Sequence, residues 1–310
     1  MVYQTTPYQT LKLKTFDALI PKQEPTGFFT ILNITEEDVI NEGGYPFPRS
    51  KLAEIQKKLY GNGAIGVGWV IAFTEKDRFG GDVDFTMSMR MTVPTVLAMF
   101  NNESNDYPPT TGTVILGENI QGIKANGVRQ NIPMFQTSAS QGVASAPTEV
   151  DNLVRQIPLL MQTPDGWVAS FGTEVLKSLA KQKSYIIKGS ENGIEEIAVK
   201  GIPPTKLDKY GRQWISWVDT PQTTLQEMDV KGKFVFVGVT AKGVMPQIAT
   251  PVGLLEPHKI QAALSESILI EDSLYVPNWN LTAELAIFIV LGSLTWLVLN
   301  ALGITGGLLL

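Results

Sequence analysis

Cysteine is absent from the 310 residues, which removes disulfides, thiolate nucleophiles and cysteine-ligated zinc or iron–sulfur sites together. The compartment stays open, because an oxidising periplasm and a reducing cytoplasm both permit cysteine-free chains. Histidine occurs once, at His258, and no Gly-x-Ser-x-Gly stretch supplies a nucleophile for it to activate. Its place near a helix start reads as a surface or capping position. Basic excess is missing too. With 25 Lys and Arg against 30 Asp and Glu, the net charge is −5 and the pI about 5.1. No local basic run compensates, so neither nucleic acid nor electrostatic attachment to an anionic membrane surface is supported. Residues Met1 to Ile20 hold no apolar run of signal-peptide length and no small-residue cleavage site. If such a domain is exported, its signal lies outside this sequence or is unusual in form.

What is present suits a loop-rich globular chain: 44% hydrophobic, 18% charged, with 28 Gly and 19 Pro, a composition that excludes disorder and fibrous structure. One segment stands apart. From Ala283 to Leu302 the sequence AELAIFIVLGSLTWLVLNAL carries a single charge, Glu284, at its edge. Twenty residues at about 1.5 Å rise span roughly 30 Å, the thickness of a bilayer's hydrocarbon. A buried core helix is the alternative, but a core helix this long keeps a polar stripe, and Thr295 and Asn300 do not make one. The predicted division is a soluble domain over 1–280, a transmembrane helix over 281–302, and a turn over 303–310 into a possible second membrane segment. No Lys or Arg follows Lys259, so charge does not orient the span.

Along the soluble part, Phe28–Ile34 is an apolar run of strand length. Thr35 follows as an N-cap with acidic residues in the first helical turn, where the helix dipole favours them. Leu52, Ile55 and Leu59 mark one face of a helix over 50–60. The run Ala64–Phe73 is apolar throughout, as a strand buried on both faces would be. A helix over 82–91 and a strand over 95–100 continue a parallel βαβ pattern. Residues 101–148 read as long excursions with one strand near Thr113–Leu116. Thr163-Pro164-Asp165-Gly166 is a turn flanked by the segments 153–161 and 167–169. A helix over 171–181 comes next, then a hairpin around Glu191-Asn192-Gly193 with arms 185–188 and 197–200. Runs over 214–218 and 234–239 and a helix over 259–270 complete the set. The expectation is an α/β fold: a mostly parallel sheet flanked by helices, with long loop excursions and a C-terminal transmembrane helix.

Few residues suggest chemistry. Glu36, Glu37, Asp38 and Glu42 are the densest acidic group, but acids in a first helical turn complement the dipole far more often than they bind metal. Gly238-Val-Thr-Ala-Lys-Gly243 follows a strand, yet Val244 and Met245 stand where a phosphate loop needs Lys and Ser or Thr. Gly66 and Gly68 lie inside a strand instead of ending it, so they make no dinucleotide fingerprint. No metal or cofactor is expected. Arg49 and Arg155 each sit beside a Pro-containing turn, where a guanidinium clamps backbone carbonyls or binds an anionic ligand.

The order of segments resembles the CHASE2 family, a bacterial extracytoplasmic sensory domain found on adenylate cyclases, histidine kinases and other receptors. The resemblance is carried by ILNITEEDVINEGGYPFPRSKLAEIQKKL (31–59), by the strand ending Ala72-Phe73-Thr74-Glu75, and by DNLVRQIPLL (151–160). GKFVFVGVTAKGVMPQIATPVGLLEPHKIQAALSESIL (232–269), followed by Pro277 and the apolar helix, is the most telling match, and LKLKTFDALI (11–20) is similar to the family's domain start. The chain departs from the pattern at Val70 and Pro246, where the family often places Asp, and at Lys259 and Gln261. The resemblance implies a non-catalytic ligand- or partner-binding sensor on the extracytoplasmic side of a bacterial inner membrane. Its candidate ligand-binding residues are Arg49, Arg155, Glu36 and Glu75. Expected partners are the lipid bilayer, other membrane chains or a second copy, and a small ligand of unspecified identity. A structural or accessory subunit of a larger membrane assembly is the alternative.

Overall fold

The computed structural model describes residues 6–104, 106–118, 120–270, 274–277 and 279–307, with backbone alone for 6 and 302–307. Helix α1 (Thr6–Leu19) precedes strand β1 (Phe29–Ile34) and the short α2 (Glu36–Asn41). Thr35 caps α2 in a capping box with Asp38. Helix α3 (Arg49–Gly61), β2 (Gly66–Trp69), α4 (Asp82–Met91) and β3 (Thr95–Asn101) complete two βαβ units. The chain then makes an excursion through β4 (Gly112–Leu116), β5 (Val128–Arg129) and α5 (Pro133–Gln136) before β6 (Ser140–Val143). Next come β7 (Gln156–Pro158), the hairpin β8 (Leu160–Thr163) and β9 (Gly166–Ala169), and α6 (Phe171–Leu179). The hairpin β10 (Ser184–Ser190) and β11 (Gly193–Ala198) is followed by β12 (Thr205–Lys206), β13 (Arg212–Trp214), β14 (Gln222–Thr224) and β15 (Phe234–Val239). A last hairpin, β16 (Ile248–Thr250) and β17 (Gly253–Leu255), leads to α7 (Pro257–Leu269) and α8 (Asn280–Gly307).

The main sheet has the order β14-β1-β15-β2-β3, with β6 and β5 both on β3. Every pairing in it is parallel except β3 with β5. The inner strands β1, β15, β2 and most of β3 are buried on both faces, and alternate side chains feed two separate cores. Phe29, Ile31, Val96, Ala98, Phe234 and Phe236 pack with Phe171 and Val175 of α6 and Ile260 and Leu264 of α7. Leu32, Ile34, Val67, Trp69, Leu97, Val235 and Val237 pack with Leu52, Ile55 and Leu59 of α3 and Phe85 and Met89 of α4. Each such side chain contributes about 1.5–3 kcal/mol by leaving water. Glycines make room for the rings: a Cβ on Gly66 would fall 2.4 Å from Phe234, and one on Gly68 would fall 2.9 Å from both Phe171 and Phe234. That is the role of the Gly-x-Gly pair inside β2. A second sheet, β12-β11-β10-β4, supplies Tyr185, Ile187, Ile194 and Ile197 to the first core.

Several elements differ from the sequence reading. The apolar run 64–73 yields a strand only over Gly66–Trp69; beyond Val70, whose N–H still reaches Val237 O at 2.9 Å, the chain leaves the sheet. The expected strand 214–218 is displaced to Arg212–Trp214, and the hairpin arms are 184–190 and 193–198. Helix α1 and strands β6 and β14 carry no periodic apolar signal, and were not foreseen.

The chain divides into two units, Met1–Tyr275 and Val276–Leu310. In the second, residues 280–301 have a mean hydropathy of 2.0, long and apolar enough to cross a membrane. Phe288, Ile289, Trp296 and Leu297 of this helix are exposed, on several faces, so it is not a core helix. It continues through Gly303 to Gly307, where a turn was expected, because nothing in backbone geometry forces Gly303 to break a helix already formed; 308–310 lie outside the described residues.

Candidate functional site at the carboxyl edge of the sheet

In a parallel sheet the loops after each strand gather at one edge, and that edge is where open α/β folds bind ligands. Here β15, late in the chain, inserts between β1 and β2. The turns after β1 and β15 therefore lie side by side: Lys242 N–H donates to Glu36 Oε2 at 2.9 Å across 206 positions. Glu36 is exposed, as is Glu75 in the loop after β2.

Helices α3 and α4 run back against the strands, so both begin at this edge. Arg49 opens α3 and Asp82 opens α4. The two starts touch, because a Cβ on Gly81 would lie 2.4 Å from Ser50 N. Asp77 ties them together, accepting from the backbone N–H groups of Arg49 (2.9 Å), Gly81 (3.0 Å) and Phe79 (3.2 Å). Burial opposes charge on the Asp77 carboxyl, but these donors and the Arg49 cation hold its pKa below the usual carboxylate value. The Arg49 guanidinium lies over Phe73, 4.5 Å from the ring centre, and Phe73 in turn meets Phe85 and Phe135 edge-on. Arg49 Nε sits 3.8 Å from Asp82 Oδ1, and both atoms are buried without a hydrogen-bond partner. Desolvation lowers the Arg49 pKa, with Asp77 and Asp82 working against it. Arg49 thus faces carboxylates and an aromatic ring, where a clamp on backbone carbonyls or a bound anionic ligand was expected.

The acidic group of α2 is committed elsewhere. Asp38 completes the capping box and accepts from Gln226 Nε2 at 2.8 Å, while Glu42 pairs with Lys51 at 2.5 Å. No cluster of three or more potential metal ligands occurs among the described residues.

Arg155 has a different setting. It is fully buried between Asp17 of α1 and Asp151, with bidentate bonds of 2.7–2.9 Å to each carboxylate. Burial works against its charge, and the two carboxylates more than offset this, raising its pKa. No contact among the described residues joins it to Arg49, Glu36 or Glu75.

His258 overturns its surface assignment. It is buried, one residue past the Pro257 that opens α7, with Nε2 2.9 Å from Asn33 Oδ1. Burial, with Lys259 adding to it and Glu256 opposing, pushes its pKa down to about 3, so the ring is neutral. Sequence reasoning also missed a buried network on α6. Glu174 accepts from Tyr185 Oη at 2.8 Å and pairs with Lys177 at 2.9 Å, and Lys177 donates to Thr111 Oγ1 at 2.6 Å. Its one sequence signal is the Glu–Lys spacing of three, shared by many solvated helices.

A family model described as the CHASE2 domain matches residues 1–299. No curated protein and no solved structure matches the chain. CHASE2 is an extracytoplasmic sensory domain family, and the match runs through the soluble unit and into the apolar helix. The two-faced parallel sheet, its loop-built carboxyl edge and the apolar helix beyond it are those of a chain that belongs to the CHASE2 domain family.

Proposed function

We propose that this chain is the non-catalytic sensory domain of a bacterial signal-transduction receptor, anchored in the inner membrane by α8 with its α/β unit on the extracytoplasmic side. The observation that carries the reading is one continuous family match over both the soluble unit and the apolar helix. The carboxyl edge of the sheet is the proposed ligand site, with Arg49, Glu36 and Glu75 around it. A small polar ligand carrying both a donor and an acceptor would satisfy Asp82 Oδ1 and Arg49 Nε, which have no hydrogen-bond partner. Its differential affinity for two positions of α8 would be the signal. The non-catalytic part of the reading is supported by membership of a family of sensory domains.

Absence of cysteine makes the orientation directly testable. Glu75→Cys introduces a single exposed thiol. In intact cells with a permeabilised outer envelope, a membrane-impermeant maleimide should label it without lysis. Labelling only after the inner membrane is broken would place the domain in the cytoplasm and end the proposal.

A further inference from the structure

Strand β4 is the open edge of the second sheet. Its parallel partner on one side is β10, in the register Thr113–Tyr185, Val114–Ile186, Ile115–Ile187 and Leu116–Lys188. On its other side no backbone bond is made to residues 113–116 among the described residues. Val114, Ile115 and Leu116 are 48%, 49% and 50% exposed, three consecutive apolar side chains on an unpaired edge. Native sheets usually blunt such edges with charge, proline or a cover. The opposite edge of this sheet follows that rule, since β12 is only Thr205–Lys206 and comes directly after Pro203-Pro204. Nothing comparable protects Thr113–Gly117.

From this edge we infer that β4 pairs antiparallel with β4 of a second copy of the chain, joining two four-stranded sheets into one of eight. Unpaired backbone N–H and C=O groups require an extended strand as the occupant, not a helix or a loop. Self-pairing about a two-fold axis normal to the sheet must set one residue opposite itself, because opposed side chains share a face. With Ile115 opposite Ile115, Val114 falls opposite Leu116 twice, so all three half-exposed apolar residues are covered by one another. The inference does not rest on the ligand site or on the receptor role.

The test uses the full chain in its own membranes, where a cysteine-free background isolates each introduced thiol. Directly opposed residues stand about 4.5–5.5 Å apart at Cα, within disulfide reach. Ile115→Cys should give a covalent dimer of twice the monomer's mass under mild oxidation. Thr113→Cys should not, because the register offsets its two copies by four residues, roughly 13 Å along the strand. Ile115→Lys sets like charges opposite each other and should abolish crosslinking between detergent-solubilised copies by amine-independent chemistry, with an unchanged melting temperature. Equal crosslinking at 113 and 115, no crosslink at 115, or a crosslink at 115 to a different protein would each overturn the inference.

Discussion

Arg155 and Asp17, 138 positions apart, form two parallel bonds, Nε to Oδ1 at 2.8 Å and Nη2 to Oδ2 at 2.7 Å. With Phe16 edge-on to Trp214 at 4.2 Å, this pair fixes α1, a helix whose Tyr8, Leu11 and Leu19 are exposed. Arg155→Met leaves two carboxylates facing each other without their cation, and should cost about 3–5 kcal/mol in urea unfolding. Asp17→Asn should cost less and expose α1 to limited proteolysis while the sheet stays protected. Arg155→Lys should not restore stability, because an ammonium lacks the planar fork that makes a two-bond pair with each carboxylate. Stability near that of the parent in Arg155→Met would refute the clamp.

The buried His258 predicts an acid limb in stability. Freed by unfolding, its imidazole takes a proton below about pH 6.5, whereas the folded ring does so only near pH 3. Between these values the unfolded state binds more protons, so stability falls as pH falls, by up to about 1.4 kcal/mol per unit from this group. Glu174 and Glu266, whose pKa values burial raises, act in the opposite sense as pH rises past the ordinary carboxylate value. His258→Gln should flatten the limb between pH 6.5 and 4. An unchanged slope in that variant would count against the neutral buried ring.

Gly238 is set against the same imidazole. A Cβ there would lie 2.1 Å from His258 Nδ1. Gly238→Ala should therefore destabilise by about 1–3 kcal/mol or more through overpacking. His258→Ala in the same chain should recover part of that loss, a coupling readable in a double-mutant cycle. Additive losses would mean that the clash is relieved elsewhere.

At the carboxyl edge, Asp77 and Asp82 should prove unequal. Asp77→Ala strands three backbone donors and should lower stability by about 1–3 kcal/mol, while Asp82→Ala removes the acceptor of one backbone bond and the distant partner of Arg49. The Asp77 contribution is present above the ordinary Asp pKa and is lost as pH falls through its lowered folded value. Chemical denaturation of both variants at pH 7 tests the order, and equal losses would sink it.

The elements legible in the sequence are those whose signal is local. Leu52, Ile55 and Leu59 recur at helical spacing in α3, the run Phe234–Val239 is apolar at every position but one, and Glu191-Asn192 makes a two-residue hairpin turn. The apolar run near the C-terminus needed only composition and length. Arg49 and Arg155 stood out because each adjoins a proline turn, but their partners Asp77, Asp82, Asp17 and Asp151 did not. Strands β6 (SQGV) and β14 (QTT) have no apolar run, since a neighbouring strand's hydrogen bonds hold them in the sheet. The entry of β15 between β1 and β2, which brings Lys242 to Glu36 and Gly238 to His258, was equally hidden. Sequence by itself determined which faces must leave water, because side-chain period is a property of a few adjacent residues. Only the tertiary structure decided what each face meets and which buried charges are paired, because those energies depend on which segments the fold brings together, as Asp17 and Arg155 are, and no local pattern encodes that.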